Sequence, residues 1–219
     1  MAPRGIPNET IDRLFTYFRA LTCLRREGSE TVSSKRIAEI CHVTAAVVRK
    51  DFSYFGEFGI RGVGYNVQKL LKNFRRILNF DDSIDVVLVG AGNIGRALLA
   101  RSGGFEIEGF NISMLFDSDP SKIGKTVGAL TVGDIAEMPA RVKSAGIDLA
   151  ILAVPDTAAP EIARTLADAG VSSILSLSPC ELCMPETVKV TCIDLSMEMA
   201  RLMYRSRLHD QAKDLRMRE

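Results

Sequence analysis

Apolar positions in the first eighty residues recur with helical spacing. Ile11, Leu14, Phe15, Phe18, Leu21 and Leu24 mark one face of a helix, and Gly28 stands where that helix would stop. Ile37 and Ile40 face inward from a second helix, SSKRIAEIC, which Ser33 or Ser34 can cap. After a short turn at His42–Val43, Thr44 can cap a third helix, TAAVVRKDFSYF, ended by Gly56. Val47, Val48, Phe52 and Phe55 share one side of it. Ala46, Arg49, Lys50 and Ser53 share the other, with Tyr54 on the flank. Asp51 falls toward the apolar side, in position to brace a neighbour. The glycines of EFGIRGVGY predict a hairpin with Arg61 at its tip. Asn66 can cap a fourth helix whose inner face is Val67, Leu70, Leu71, Phe74, Ile77 and Leu78. A helix-turn-helix followed by a hairpin is the pattern of a winged helix.

Beyond FDDS the pattern changes. IDVVLVG is an apolar, β-branched run, as in a buried parallel strand. It leads into Gly90-Ala91-Gly92-Asn93-Ile94-Gly95 and then a helical stretch, the context a dinucleotide fingerprint requires. In that reading Gly90 makes the tight turn, Gly92 lets the backbone approach a pyrophosphate, and Gly95 lets helix and strand pack. A second strand, NISMLF, ends at Asp117, where a carboxylate can accept from a ribose 2′-hydroxyl and would repel a 2′-phosphate. NAD(H) is thereby favoured over NADP(H), with another nucleotide such as coenzyme A as the alternative. Strands IDLAILAV, VSSILSLS and VKVTCI end at Pro155, Pro179 and Asp194, and helices are expected over 134–144 and 157–169. This alternation predicts a doubly wound parallel sheet. Ligands bind beyond the carboxyl ends of such strands, so Pro155 and Pro179 are candidates to line the nicotinamide half; a proline there also serves simply as a strand stop. The chain closes in a helix that Asp194 caps, with an apolar stripe of Leu195, Met199, Leu202 and Met203. The expected domains are residues 1–80, 81–193 and the terminal helix 194–219.

Charge sharpens the division. Residues 1–80 carry 14 Lys+Arg against 7 Asp+Glu, while the rest carries 14 against 20, inside a net charge of +1. A basic first third suits a phosphate backbone. The exposed face of the third helix would place Arg49 and Lys50 on guanine edges or phosphates and Ser53 and Tyr54 on phosphates, and Arg61 has the length and charge for a minor groove. No apolar run reaches the roughly 18–20 residues of a membrane span, and MAPRGIPNET lacks the apolar core of a secretion signal. Five cysteines without a disulfide pattern suit a reducing cytoplasm. Cys180-Glu-Leu-Cys183, with Cys192 nearby, lacks the second pair a zinc site needs and opens no helix as a redox motif would, so packing is the reading.

A dehydrogenase needs an acid–base residue for its substrate proton. His42 and His209 both fall outside the sheet, no TyrxxxLys pair occurs in the second half, and little chain remains for a substrate domain. The dinucleotide looks read, not consumed, and no catalytic residue, substrate or metal is assigned. A small NAD-dependent oxidoreductase and a nucleotide- or coenzyme-A-binding adaptor stay as alternatives.

VRKDFSYFGEFGIRGVGY, GAGNIGRAL, FDSDPSKIG and IDLSMEMARLMY together resemble the Rex family of redox-sensing transcriptional repressors, over nearly the whole chain. The resemblance implies a winged-helix domain, a Rossmann domain holding NADH or NAD⁺, and a homodimer that exchanges its C-terminal helices. It implies operator binding when NADH is scarce and release when NADH rises. Lys50, Ser53, Tyr54, Arg61 and Gly62 match the DNA-reading elements, residues 90–95 and Asp117 match the cofactor site, and Arg19 and Asp194 match positions linked to signalling. One departure is Ser102 in LLARSGGF, where many members carry a tyrosine that serves this signalling; it bears on the strength of the NADH response.

Overall fold

Three of the four helices predicted in the first eighty residues begin at the cap the sequence offers. The structure is a computed structural model that describes residues 6–56, 58–60, 63–78, 80, 83–100 and 109–204. Helix α1 (Asn8–Arg26) ends before Gly28, whose φ is +80°. Ser33 caps α2 (Ser34–Cys41) by accepting from the Arg36 N–H, and Thr44 caps α3 (Ala45–Ser53) by accepting from the Val47 N–H. Asn66 caps α4 (Val67–Ile77) through the Lys69 N–H. The turn between α2 and α3 is made by His42 in the left-handed region, a conformation histidine tolerates better than most residues. The hairpin is present as β2 (Gly59–Ile60) and β3 (Gly64–Asn66), and β3 also pairs with β1 (Thr31–Val32), a strand too short to leave a pattern in the sequence.

The core of this first unit gathers Leu14, Leu21, Ile37, Val48, Phe52, Leu70 and Phe74. Phe52 is its hub, with its ring 5.1–5.4 Å from those of Tyr17, Tyr65 and Phe74, all edge-on. Each such buried side chain contributes roughly 1.5–3 kcal/mol. Two expectations are corrected. Phe15 and Ile40 are exposed, because the inward stripes of α1 and α2 are narrower than their apolar positions; Phe15 lies at the edge of the packing, against Phe80. Tyr17, with its polar hydroxyl, is instead fully buried.

The chain divides into two units, Met1–Asp82 and Ser83–Glu219. In the second, a seven-stranded sheet has the order β10-β9-β8-β4-β5-β7-β6. Its strands are β4 (Ile84–Val89), β5 (Phe110–Asp117), β6 (Thr126–Val127), β7 (Leu130–Asp134), β8 (Leu149–Leu152), β9 (Ser173–Ser176) and β10 (Lys189–Cys192). All pair in parallel except β6, which returns antiparallel on β7 as an edge hairpin unforeseen in the sequence. Helices α5 (Asn93–Leu99), α6 (Met138–Ala145) and α7 (Ala159–Asp168) connect them, and a 3-10 turn, Ile135–Glu137, leads into α6. Val87, Val89, Ala150 and Leu152 bury one face of the sheet against α6 and α7, while Val86, Leu88, Leu115 and Ile151 bury the other. The chain runs from β4 outward through β5 and β7, then crosses to β8 on the other side of β4. The strand order therefore reverses between β4 and β8, where a doubly wound sheet opens a crevice. Residues 195–204 form a final helix, α8.

Candidate cofactor cleft and nucleic-acid face

A cleft of about 580 Å³ lies beyond the carboxyl ends of β4, β5 and β8. Gly90, Gly92, Asn93, Ile94, Asp117 and Pro155 all line it, as the sequence predicts. Gly90 has φ +108°, and a Cβ there would sit 2.2 Å from the Ala153 carbonyl oxygen, so only glycine makes this turn. Among the described residues a Cβ on Gly92 would meet nothing beyond its own chain neighbours within 4 Å, which leaves open space beside the backbone at the start of α5. Gly95 is buried, where a Cβ would fall 1.9 Å from the Gly90 oxygen. Ala91 and Gly95 thus shape the turn from behind and do not line the cleft.

Asp117 ends β5 almost wholly buried, and three donors hold it. Its Oδ2 accepts from the Ala91 N–H at 2.7 Å and from Lys122 Nζ at 3.0 Å, while Oδ1 accepts from the Asp119 N–H at 2.8 Å. Burial pushes this carboxyl up, but the Asp119 N–H, the Lys122 ammonium and the Ala91 N–H outweigh it and hold it below the usual carboxylate range. Asp117 therefore stays ionised near neutral pH and ties the glycine turn to the end of β5. Lys122 is a cleft residue the sequence reading missed. The available signal was the Asp119-Pro120-Ser121 turn following the strand end, which folds the next residue back on Asp117.

Pro179 does not line the cleft; Leu177 does, together with Val154. Past Leu177 the backbone bends, and the Ser178 hydroxyl donates to the Val154 carbonyl oxygen, turning the chain away one residue before Pro179. Asp194 is half-buried and caps α8, where its Oδ1 accepts from the N–H groups of Ser196 and Met197 at 2.9 and 3.1 Å. The Ser196 hydroxyl and these N–H groups lower its pKa. Arg19 is exposed on α1. Cys180, Cys183 and Cys192 are free thiols, and the described residues hold no cluster of three or more metal-ligating side chains.

In the first unit, Arg49, Lys50 and Ser53 are exposed on one face of α3 and Tyr54 is half-buried beside them. Arg49 is not free on that face, since its guanidinium donates to the Ser34 hydroxyl at 3.1 Å and links α3 to the start of α2. Ser53 donates to the Lys50 carbonyl within its own helix, leaving its oxygen as an acceptor only. Arg61 and Gly62 lie outside the described residues, as does Ser102. Beneath this face Asp51 accepts from Thr10 Oγ1 at 3.0 Å, from Arg13 Nε and Nη2 at 2.7 and 2.9 Å, and from Tyr17 Oη at 2.7 Å. Asp51 is the brace its position on the helix suggested, and it sets how α3 is presented.

Comparison with known proteins gives both units a counterpart. Residues 5–53 match a family model described as "Putative DNA-binding protein N-terminus", and residues 81–180 match a CoA binding domain. A crystal structure of RSP in complex with beta-NAD+ and operator DNA superposes with a TM-score of 0.82, at 31% identity, covering 98% of each chain. RSP in complex with beta-NADH gives 0.83 at 30% identity, covering 97% of this chain and all of that one. The redox-sensing transcriptional repressor Rex of Chloroflexus aggregans is 48% identical over 188 residues, 86% of this chain and 88% of that protein. With a winged helix-turn-helix, a Rossmann cleft and this degree of identity along most of its length, the chain belongs to the Rex family of redox-sensing transcriptional repressors.

Proposed function

We propose that this chain is a repressor that reads the NADH/NAD⁺ balance, binding operator DNA as a homodimer in the cytoplasm when NADH is low and letting go when NADH binds. The observation that carries this reading is the glycine turn. Gly90–Ile94 opens on the cleft with clear space beside Gly92, and the Asp117 carboxylate stands at its rim. Gly92 and the N–H groups opening α5 would pass the pyrophosphate, Asp117 would take a ribose hydroxyl, and Val154, Pro155 and Leu177 would flank the nicotinamide. When bound, the dinucleotide supplies a redox state to be sensed. RSP, with its NADH, NAD⁺ and operator complexes, supports the same assignment here.

The dimer is supported by α8. Leu195, Met199, Leu202 and Met203 are 55–71% exposed along one stripe of this helix, and nothing among the described residues covers them. Apolar patches of this kind mark interaction sites. Exchange between subunits would cover them and would join one subunit's cleft region, through Asp194, to its partner.

Lys50 is assigned a phosphate contact. Replacing it with alanine will lower the slope of log K against log salt by about one unit, with little change in sequence preference. An unchanged slope removes Lys50 from the interface. The full reading is tested by titrating NADH with and without saturating operator. A ligand shifts an equilibrium only by its difference in affinity between two states, and that coupling is reciprocal. Operator DNA will therefore weaken NADH binding by the factor with which NADH weakens operator binding, typically about 5–150-fold. Equal NADH affinity in both titrations would leave a DNA-binding protein that holds a dinucleotide for another purpose.

A further inference from the structure

We propose that Lys122 sets how strongly this chain discriminates against a 2′-phosphorylated dinucleotide, by cancelling the charge of Asp117 at the rim of the cleft. The inference rests on the reading of the cleft as a dinucleotide site. Two carboxylates and one ammonium share this part of the rim, namely Asp117, Asp119 and Lys122. Lys122 Nζ lies 3.0 Å from Asp117 Oδ2 and 3.7 Å from Asp119 Oδ2. Its placement is built into the backbone. The Ser121 N–H donates to Asp119 Oδ1 at 2.8 Å, and the Lys122 and Ile123 N–H groups donate to the Asp119 carbonyl at 2.9 and 3.2 Å. This turn folds residue 122 back onto the strand end.

The consequence for recognition is specific. Asp117 Oδ2 already takes two donors, whereas Oδ1 takes one and keeps a lone pair for a hydroxyl. Hydroxyl acceptance therefore survives the ion pair. Charge repulsion does not survive to the same degree, because a carboxylate beside an ammonium presents a near-neutral pair and leaves Asp119 as the uncompensated acid. An acid at the end of the second strand would by itself predict strong rejection of NADPH. Paired with Lys122, it rejects NADPH only moderately.

The test is fluorescence titration of NADH and NADPH against the unaltered protein, Lys122→Met and Lys122→Arg, at low and high salt. Lys122→Met will weaken NADPH by about tenfold relative to NADH, the size of one charge–charge interaction at a partly solvated rim. NADH itself will move by no more than about threefold. Lys122→Arg will keep the original ratio, and salt will shrink the difference between the variants. An unchanged ratio in Lys122→Met overturns the inference, as does an equal loss of both dinucleotides that arginine does not restore. Failure of the unaltered protein to bind NADH at all would overturn the dinucleotide reading, and this inference with it.

Discussion

Asp51→Ala will destabilise the N-terminal unit by about 3 kcal/mol, the cost of removing a buried carboxylate from its hydrogen bonds and leaving buried donors unpaired, while the partly exposed Arg13 guanidinium can turn to water. Asp51 is 1% exposed, and its carboxylate receives four hydrogen bonds from three side chains of α1. Its loss leaves the Tyr17 hydroxyl buried without an acceptor and the Arg13 guanidinium without its bidentate partner. Domains of this size are stable by roughly 5–15 kcal/mol, so the variant will be folded only in part at elevated temperature. Operator affinity will fall with it, because Asp51 also fixes α3 against α1. Thermal unfolding followed beside DNA binding checks this; a loss under about 1 kcal/mol would mean that the carboxylate is effectively solvated. The pH dependence has a definite sign. Burial pushes the Asp51 carboxyl up, but Arg13, Tyr17 and Thr10 outweigh it and its pKa lies below normal. Its contribution is thus present above the unfolded carboxylate value of about 3.9 and is lost as pH falls through the lower folded value. Tyr17 is shifted the other way, by burial first and then by its hydrogen bond to Asp51. Its contribution is complete below about pH 10 and fades as pH rises through its raised folded value. The unit will be weakest at the two extremes, and Asp51→Asn will flatten the acid limb.

Features that act through one local hydrogen bond were legible in the sequence. Thr44, Asn66 and Asp194 cap the helices they were expected to cap, and of the pair Ser33/Ser34 the structure selects Ser33. The glycine turn was legible because the strand before it and the helix after it are its neighbours in the sequence. Burial was read less well. Tyr17 was not on the face read as inward, yet Asp51 gives its hydroxyl an acceptor in the interior, and Phe15 and Ile40 looked apolar enough to be inside but stay exposed, Phe15 at the edge of the packing against Phe80. The short strands β1 and β6 carry two residues each, too few for a period to register. Pro155 and Pro179 end two strands in the same way, yet only the first faces the cleft. The difference is a hydrogen bond from Ser178 to a carbonyl 24 residues earlier, which no local pattern reports. Lys122 and the Arg49–Ser34 contact belong to this class too, since a cation in a sequence does not announce which anion or hydroxyl it will meet.

Gly95→Ala will abolish most NADH binding and lower the stability of the second unit, whereas Gly92→Ala will affect binding alone. The two glycines are three residues apart and fail for different reasons. A methyl on Gly95 would stand 1.9 Å from the Gly90 oxygen, well inside any tolerated contact, and the atom it meets is backbone. Relief requires α5 to move off the turn that begins at Gly90, and overpacking of this kind costs about 1–3 kcal/mol. The same movement displaces the N–H groups at the start of α5 that would meet the pyrophosphate, and a loss near the top of that range is roughly 100-fold in affinity. At Gly92 the backbone φ is −78°, open to any residue, and among the described residues nothing beyond its own chain neighbours lies within 4 Å of an added Cβ. Alanine there leaves the fold untouched and places its methyl in the space a ligand would use. Melting temperatures with NADH titrations on both variants separate the cases. A fall in Tm for Gly95→Ala alone, with NADH binding weakened in both, is the expected result. Full NADH affinity in Gly92→Ala would mean that the dinucleotide does not pass over the glycine turn at all, and the cleft would have to be reassigned.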